Sequence, residues 1–309
     1  MNTQSNAVPE SPLESRETAP TFISATRRMY WSVRRELWEN RSIYIAPLAV
    51  AALFLFGFLI NVMHLPGKMR TAVALTPMEQ HELSEEPFAL VALLLMGTTF
   101  IVSVFYCLDA LYGERRDRSI LFWKSLPVSD LTTVLSKACI PLLILPLLTF
   151  AITVVTQWIM LLISSAVLLG SGLSATTLFS QLSFFQMSMI LLNHLVGVHA
   201  LWYAPIYGWL LLVSAWARRA PFLWATLPLF AVGILEKIAF NTSHFADLVG
   251  SRFGAGGEDA GSKAMGMMAM LGQPDAEKLL SSPGLWIGLG VSALFLAAAV
   301  RLRRNREPI

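Results

Sequence analysis

The sequence predicts an all-α integral membrane protein with six transmembrane helices preceded by an amphipathic interfacial helix. Three observations carry this. Of the 309 residues 55% are hydrophobic and only 14% charged, where soluble domains carry about 25% charged residues. The apolar residues fall into long runs, and about 20 apolar residues in helix cross a bilayer core of about 30 Å. From 138 to 217 there is no Asp, Glu, Lys or Arg in 80 consecutive positions. A water-soluble enzyme is excluded on these grounds.

The elements follow in chain order. Residues 1–20 are polar, with Glu10, Glu14 and Glu17 and no apolar h-region. They read as a disordered tail and not as a signal peptide. Residues 22–41, FISATRRMYWSVRRELWENR, place Met29, Tyr30, Val33 and Leu37 on one helical face. Arg27, Arg28, Arg34 and Arg35 supply cations, and Trp31 and Trp38 suit a headgroup region. This pattern predicts a helix lying flat at the interface, its arginines near anionic lipid.

Spans are expected at about 43–63, 88–111, 138–169, 195–217, 221–240 and 283–300. The third and fourth come from splitting the uncharged stretch at Gly170-Ser171-Gly172, with the polar residues 173–194 between them. A helix over 138–169 is longer than the bilayer core needs, so it tilts or extends beyond the headgroups. Pro141 and Pro146 are expected to kink it. A long extracytoplasmic loop is expected at 241–282.

Charge orients this arrangement. With both termini inside, the inner segments hold 17 of the 23 Lys and Arg residues and the outer segments 6, as the positive-inside rule requires. A multi-pass protein of the cytoplasmic (inner) membrane is the expectation.

Several chemistries lack their residues. Cys107 and Cys139 lie in apolar runs and suggest neither a disulfide framework nor a zinc site. GGEDAGSKA, 256–264, has the glycine spacing of a phosphate loop, but Ser262 stands where the lysine belongs. The methionines of AMGMMAM (Met265, Met267, Met268 and Met270) read as adaptable packing in preference to a Cu(I) site. Asn241-Thr242-Ser243 fits a glycosylation sequon that arises often by chance. Glu236 and Lys237 read as interfacial anchors. His194 and His199 have no Asp or Glu partner anywhere in 138–217, which argues against a proton-driven carrier. Neither a Ser-His-Asp order nor HExxH occurs, so hydrolase chemistry is missing and no metal is expected.

The stretch YGERRDRSILFWKSLPVSD, 112–130, sits between spans two and three. It combines Glu114, Arg115, Arg116, Asp117, Arg118 and Lys124 with Ser119 and the apolar Ile120, Leu121, Phe122 and Trp123. Its basic residues obey the positive-inside rule; its apolar centre has no such explanation. Pro127 with Ser129 and Asp130 reads as a helix stop and an N-cap before span three.

ERRDRSILFWKSLPVSD, continuing as LTTVLSKA, resembles the first cytoplasmic loop of the ABC-2 type transporter permeases. RRELWENRSIYIAPL (34–48), LLVSAWARRAPFLWATLP (211–228) and GILEKIAF (233–240) resemble further parts of the same family. The likeness runs from about residue 25 to about 255.

It implies an ABC-2 type transmembrane domain over 21–305 and a cytoplasmic coupling helix within the 112–131 loop. It also implies that this chain lacks ATPase motifs. ATP and magnesium would sit on a separate ATP-binding cassette subunit, and two permeases, as a homodimer, would join two such ATPases into an exporter. On that reading residues 114–124 (Glu114 to Lys124) dock on the ATPase, the apolar ones as anchors and the charged ones as ion-pair partners. Membrane lipids are the other expected partner, and nucleic acid is not one. The competing expectation is a scaffold or assembly factor that recruits a soluble partner through the same loop without transport. The cargo is not specified; apolar spans suit lipidic, peptide or drug-like molecules, and equally suit packing.

Overall fold

The computed structural model describes residues 24–72, 77–125, 128–172, 184–252 and 280–305, without side chains at 68, 72, 77–84 and 124–125. The expected tail 1–20, the phosphate-loop lookalike, the methionine cluster, Pro127 and the Lys124 side chain lie outside what is described. Among the described residues the regular structure is helical and no strand occurs. Six helical stretches are long and apolar enough to cross a membrane: Ser42–Val62, Glu85–Arg116, Asp130–Gly170, Phe184–Trp202, Pro221–Phe240 and Pro283–Asn305. The chain is a multi-pass membrane protein.

Helix α1, Ala25–Glu39, starts where the Ser24 hydroxyl accepts the Arg27 N–H at 3.3 Å, an N-cap. Val33 and Leu37 pack on the core, and Tyr30, Trp31 and Trp38 are exposed. The one buried residue of α1 is charged, Glu36. Helix α2, Ser42–Val62, follows a single turn later. After α3, Leu65–Ala72, the long helix α4 runs from Pro77 to Ala110. Two short helices, α5 (Tyr112–Arg116) and α6 (Ile120–Ser125), occupy the charged loop.

The third span is α7 (Asp130–Cys139), a π-helical turn over Ile140–Ile144, and α8 (Leu145–Gly170). The kink expected at Pro141 takes the form of this wide turn. Proline has no N–H to give, and a wider turn re-registers the hydrogen-bond ladder around the gap.

The fourth span departs most from expectation. It begins at Phe184, not at 195, as α9 (Phe184–His194), widens into π-helix over Leu195–Trp202, and ends as α10 (Ala204–Trp216). Of the polar residues that suggested a loop up to 194, Gln186, Ser188 and Asn193 lie in helix. The Ser188 hydroxyl, for example, donates to the Phe184 carbonyl at 2.9 Å. Helix α11, Pro221–Phe240, is followed by α12, His244–Arg252, inside the expected 241–282 loop. The last helix, α13, runs from Pro283 to Asn305, past the expected end at 300.

One core half joins Ile43, Tyr106, Cys107, Ile140, Leu145, Tyr207 and Leu211 near the end that carries α5 and α6, the loop end. The other joins Phe58, Val91, Leu95, Ile152, Met160 and Leu168 toward the far end. Between α4 and α8 lies a polar seam. Thr99 and Thr149 hydrogen-bond to each other, and Gln157 Nε2 donates to the Phe88 carbonyl at 3.1 Å. Such bonds hold helices together where lipid gives apolar faces no preference for each other. Helices α10 and α13 pack closely at Gly208, where a Cβ would stand 3.0 Å from Ser292 Oγ. Ser292 Oγ in turn donates to the Ala204 carbonyl at 2.9 Å.

Candidate functional site

The loop between spans two and three is attached to the bundle on two sides. On one side the backbone N–H groups of Leu111 and Tyr112 donate to Ser214 Oγ at 3.0 and 2.9 Å. Arg115 donates to the Ser214 carbonyl at 3.0 Å and to the Ala217 carbonyl. These carbonyls are at the end of α10, where backbone acceptors have no partner in their own helix. Arg115 therefore caps span four and ties the loop to it. Only 3% of Arg115 is exposed, so it faces inward, away from a soluble partner.

On the other side is a buried cluster of ion pairs. Lys137 Nζ, from α7, lies 2.9 Å from Glu36 Oε1 and 3.1 Å from Glu114 Oε1. Arg35 Nη2 lies 2.6 Å from Glu36 Oε1 and 3.2 Å from Glu114 Oε1. Arg303, from α13, pairs with Glu114 Oε2 and, at 3.0 Å, with Asp130 Oδ1. Tyr106, from α4, donates to Glu36 Oε2 at 2.9 Å. Three cations thus face three carboxylates drawn from α1, α5, α7 and α13. Lys137 and Glu36 have side chains only 2% and 1% exposed. Such charges are tolerable only because they are paired and hydrogen-bonded.

The electrostatics favour the charged forms. Burial by itself would push the Glu36 carboxyl up, but Lys137 and Arg35 outweigh it and hold the group below the ordinary carboxylate range. Burial likewise opposes the charge on Arg35, and Glu36 reverses that effect and raises it. Glu39, lacking an equally close cation, is raised by burial.

Arg35 has a second contact. Its guanidinium lies 3.8 Å from the centre of the Trp123 ring, a cation–π stack. The helix predicted to lie at the interface and the short helix α6 therefore meet at one side chain. Trp123 also packs edge-on against Phe122, with centroids 4.9 Å apart.

The sequence-predicted docking residues divide into two sets. Glu114, Arg115 and Ile120 are buried, and Trp123 is half-buried; these hold the loop. Arg116, Asp117 and Arg118 are exposed, with Arg116 paired to Asp117 at 2.9 Å, and Leu121 and Phe122 are each 60% exposed; these form the outer set. Ser119 is half-buried and donates weakly to the Glu114 carbonyl at 3.4 Å. Arg118 turns the chain between α5 and α6 with φ of 57°, a left-handed conformation that costs a non-glycine residue about 1 kcal/mol. The expected N-cap before span three is present: Ser129 Oγ accepts the Thr132 N–H at 3.1 Å.

Within α1, Arg27, Arg28, Tyr30, Trp31 and Trp38 stay on the outside. Arg34 stacks on both Trp31 and Trp38 at 5.1 Å. Arg35 alone of the predicted interfacial set turns into the cluster. Sequence reasoning missed Glu36, Tyr106, Lys137, Ser214 and Arg303 as site residues. One signal was available for Glu36, which lies three residues after Val33 and one before Leu37, on the apolar side of an amphipathic helix.

The remaining candidates are scattered. His199 is buried against Phe100 and Tyr203, at centroid distances of 6.2 and 5.6 Å. Glu236 accepts from Thr242 Oγ1 at 2.9 Å and from the Phe245 N–H at 2.8 Å, so it caps α12. Cys107 and Cys139 are free thiols. Among the described residues no group of three or more His, Cys, Asp or Glu side chains could hold a metal ion. Comparison of the chain with protein-family models, curated proteins and solved structures finds no match.

Proposed function

We propose that this chain is the permease subunit of an ATP-driven ABC-2 type exporter, with helix α6 as its docking element for a separate ATP-binding cassette subunit. The supporting observation is the pairing of an exposed apolar tip with a rigid root. Leu121 and Phe122 expose apolar side chains beside Arg116, Asp117 and Arg118. Aromatic anchors inside a charged rim are the usual hot spots of protein interfaces. The root is the Glu114 cluster, which joins the loop to α1, α7 and α13. A push on α6 would reach three helices through ion pairs and a fourth, α10, through Arg115.

In this reading the loop end is cytoplasmic, both termini are cytoplasmic, and the chain sits in the inner membrane. The distribution of Lys and Arg supports that orientation. Helix α1 lies at the interface, Arg34 and its two tryptophans among the headgroups. ATP and magnesium bind to the partner, this chain hydrolyses nothing, and two copies form the pathway.

The test is co-purification with a candidate ATP-binding cassette subunit co-expressed with this chain. Phe122→Asp is expected to abolish co-purification while leaving the chain folded and membrane-inserted. Undiminished complex and transport in Phe122→Asp and Leu121→Asp would remove α6 as the docking element. Binding of the soluble partner without ATP-dependent transport would favour the scaffold instead.

A further inference from the structure

The far end of the bundle holds a cation with no counter-charge among the described residues. Helix α11 starts beside the Ala217 carbonyl that Arg115 caps and runs 20 residues to Phe240, about 30 Å along its axis. Helix α12 follows it there, and Arg252 is its last residue.

Arg252 is built into the spans. Its guanidinium lies 4.1 Å from the centre of the Trp202 ring. Nη1 donates to the Trp202 carbonyl at 3.3 Å and Nη2 to the Gly284 carbonyl at 2.8 Å. Gly288 makes room for it: a Cβ there would stand 2.8 Å from Nη2 and 3.0 Å from Nη1. Gly284 similarly lies against the Trp202 ring, where a Cβ would sit at 3.7 Å. Two glycines one turn apart on α13 thus form a seat for a flat, stacked guanidinium.

Among the described residues both of its hydrogen-bond acceptors are neutral carbonyls. The acids on the neighbouring segments are engaged elsewhere, Asp247 with Ser243 and Glu236 with Thr242 and the Phe245 N–H. Burial opposes the charge and pushes the Arg252 guanidinium down. A guanidinium offers five N–H donors in a planar fork, and two donations leave others unused. The charge also sits beside the first turn of α13, the positive end of a 23-residue helix. Trp286, 61% exposed on the first turn of α13, is a side chain of the type enriched at membrane surfaces.

We propose that Arg252, stacked on Trp202 and seated between Gly284 and Gly288, binds the anionic headgroup of a phosphate- or carboxylate-bearing molecule at the far end of the bundle. The headgroup would take the free edge of the fork in charge-assisted hydrogen bonds. The anion can come from a membrane lipid or from solution. This site is separate from α1, whose arginines lie at the opposite end.

The test uses the purified full-length chain in neutral detergent, with Arg27, Arg28 and Arg34 replaced by Gln to silence α1. Melting temperature is followed during titration with phosphatidylglycerol, phosphatidylcholine or inorganic phosphate. Phosphatidylglycerol is expected to stabilise and phosphatidylcholine is not. Arg252→Gln is expected to weaken the phosphatidylglycerol response about tenfold, and Arg252→Lys to weaken it less. A matching response to inorganic phosphate, lost in the same variant, supports the site with a soluble anion as its ligand. Equal responses to the two lipids, or an unchanged response in Arg252→Gln, overturn the proposal. Should Arg252→Gln fail to fold, Gly288→Ala crowds the guanidinium but keeps its charge; an undiminished phosphatidylglycerol response there overturns it equally.

Discussion

The loop end and helix α11 are held by different forces. At the loop end a handful of side chains binds α1, α5, α7 and α13 through buried charges. Helix α11 buries a single residue, Ala225, and shows Phe222, Leu227, Phe230, Leu235 and Ile238 on its outside. Its polar attachment to span four is the Trp209 indole, which donates to the Ala225 carbonyl at 3.0 Å. Water would penalise that apolar surface heavily, but hydrocarbon does not. The contrast assigns two tasks. Under the proposed function the loop end would move as a unit, and α11 would meet lipid or a second copy.

The largest expected effect comes from Lys137→Met. It leaves Glu36 and Glu114 close together in a buried site with the less buried Arg35 as their remaining shared cation. Removing one partner from such a site costs about 3–5 kcal/mol, to be read as a large loss of melting temperature in detergent. A variant that melts like the parent would mean the cluster is wetter than its burial indicates.

The next effect is pH-dependent. The folded Glu36 carboxyl is depressed relative to its unfolded value, which is about 4.3 for glutamate. Its contribution is therefore fully present above that pH and is lost as pH falls through the folded value. Glu36→Gln is expected to flatten the acid limb of the stability curve; an unaltered limb would show that other carboxylates set it.

Smallest is the effect on α11. Phe230→Ala, at a position 68% exposed, is expected to change stability by less than about 0.5 kcal/mol, measured on the monomer in detergent. A loss comparable to that of Lys137→Met would erase the distinction between the two regions.

Span composition made α2 and α11 readable from residue types alone, because apolar runs bounded by charge have few alternatives; the third span, expected from 138, begins at Asp130. The fourth span was misplaced at its start because Ser188 and its polar neighbours look like a loop. A helix can absorb hydroxyls by donating them to its own carbonyls, and composition does not register that. The 112–130 loop was readable as a charged segment with an apolar centre. Its division into an inner and an outer set was not, because Glu114 meets Lys137 and Arg303 only once three spans are packed. Lys137 and Arg303 looked like ordinary positive-inside residues at helix ends. Their pairing with Glu36 and Glu114 joins positions about 100 and 189 residues apart, beyond any local pattern.

The most direct measurement of the proposed docking is site-specific photo-crosslinking in membranes that contain a candidate ATP-binding cassette subunit. A crosslinker at position 122 is expected to capture that subunit, and one at 230 is expected to capture lipid or a second copy. Capture of the ATPase from 230 and not from 122, or from neither position in a functional exporter, would contradict the account.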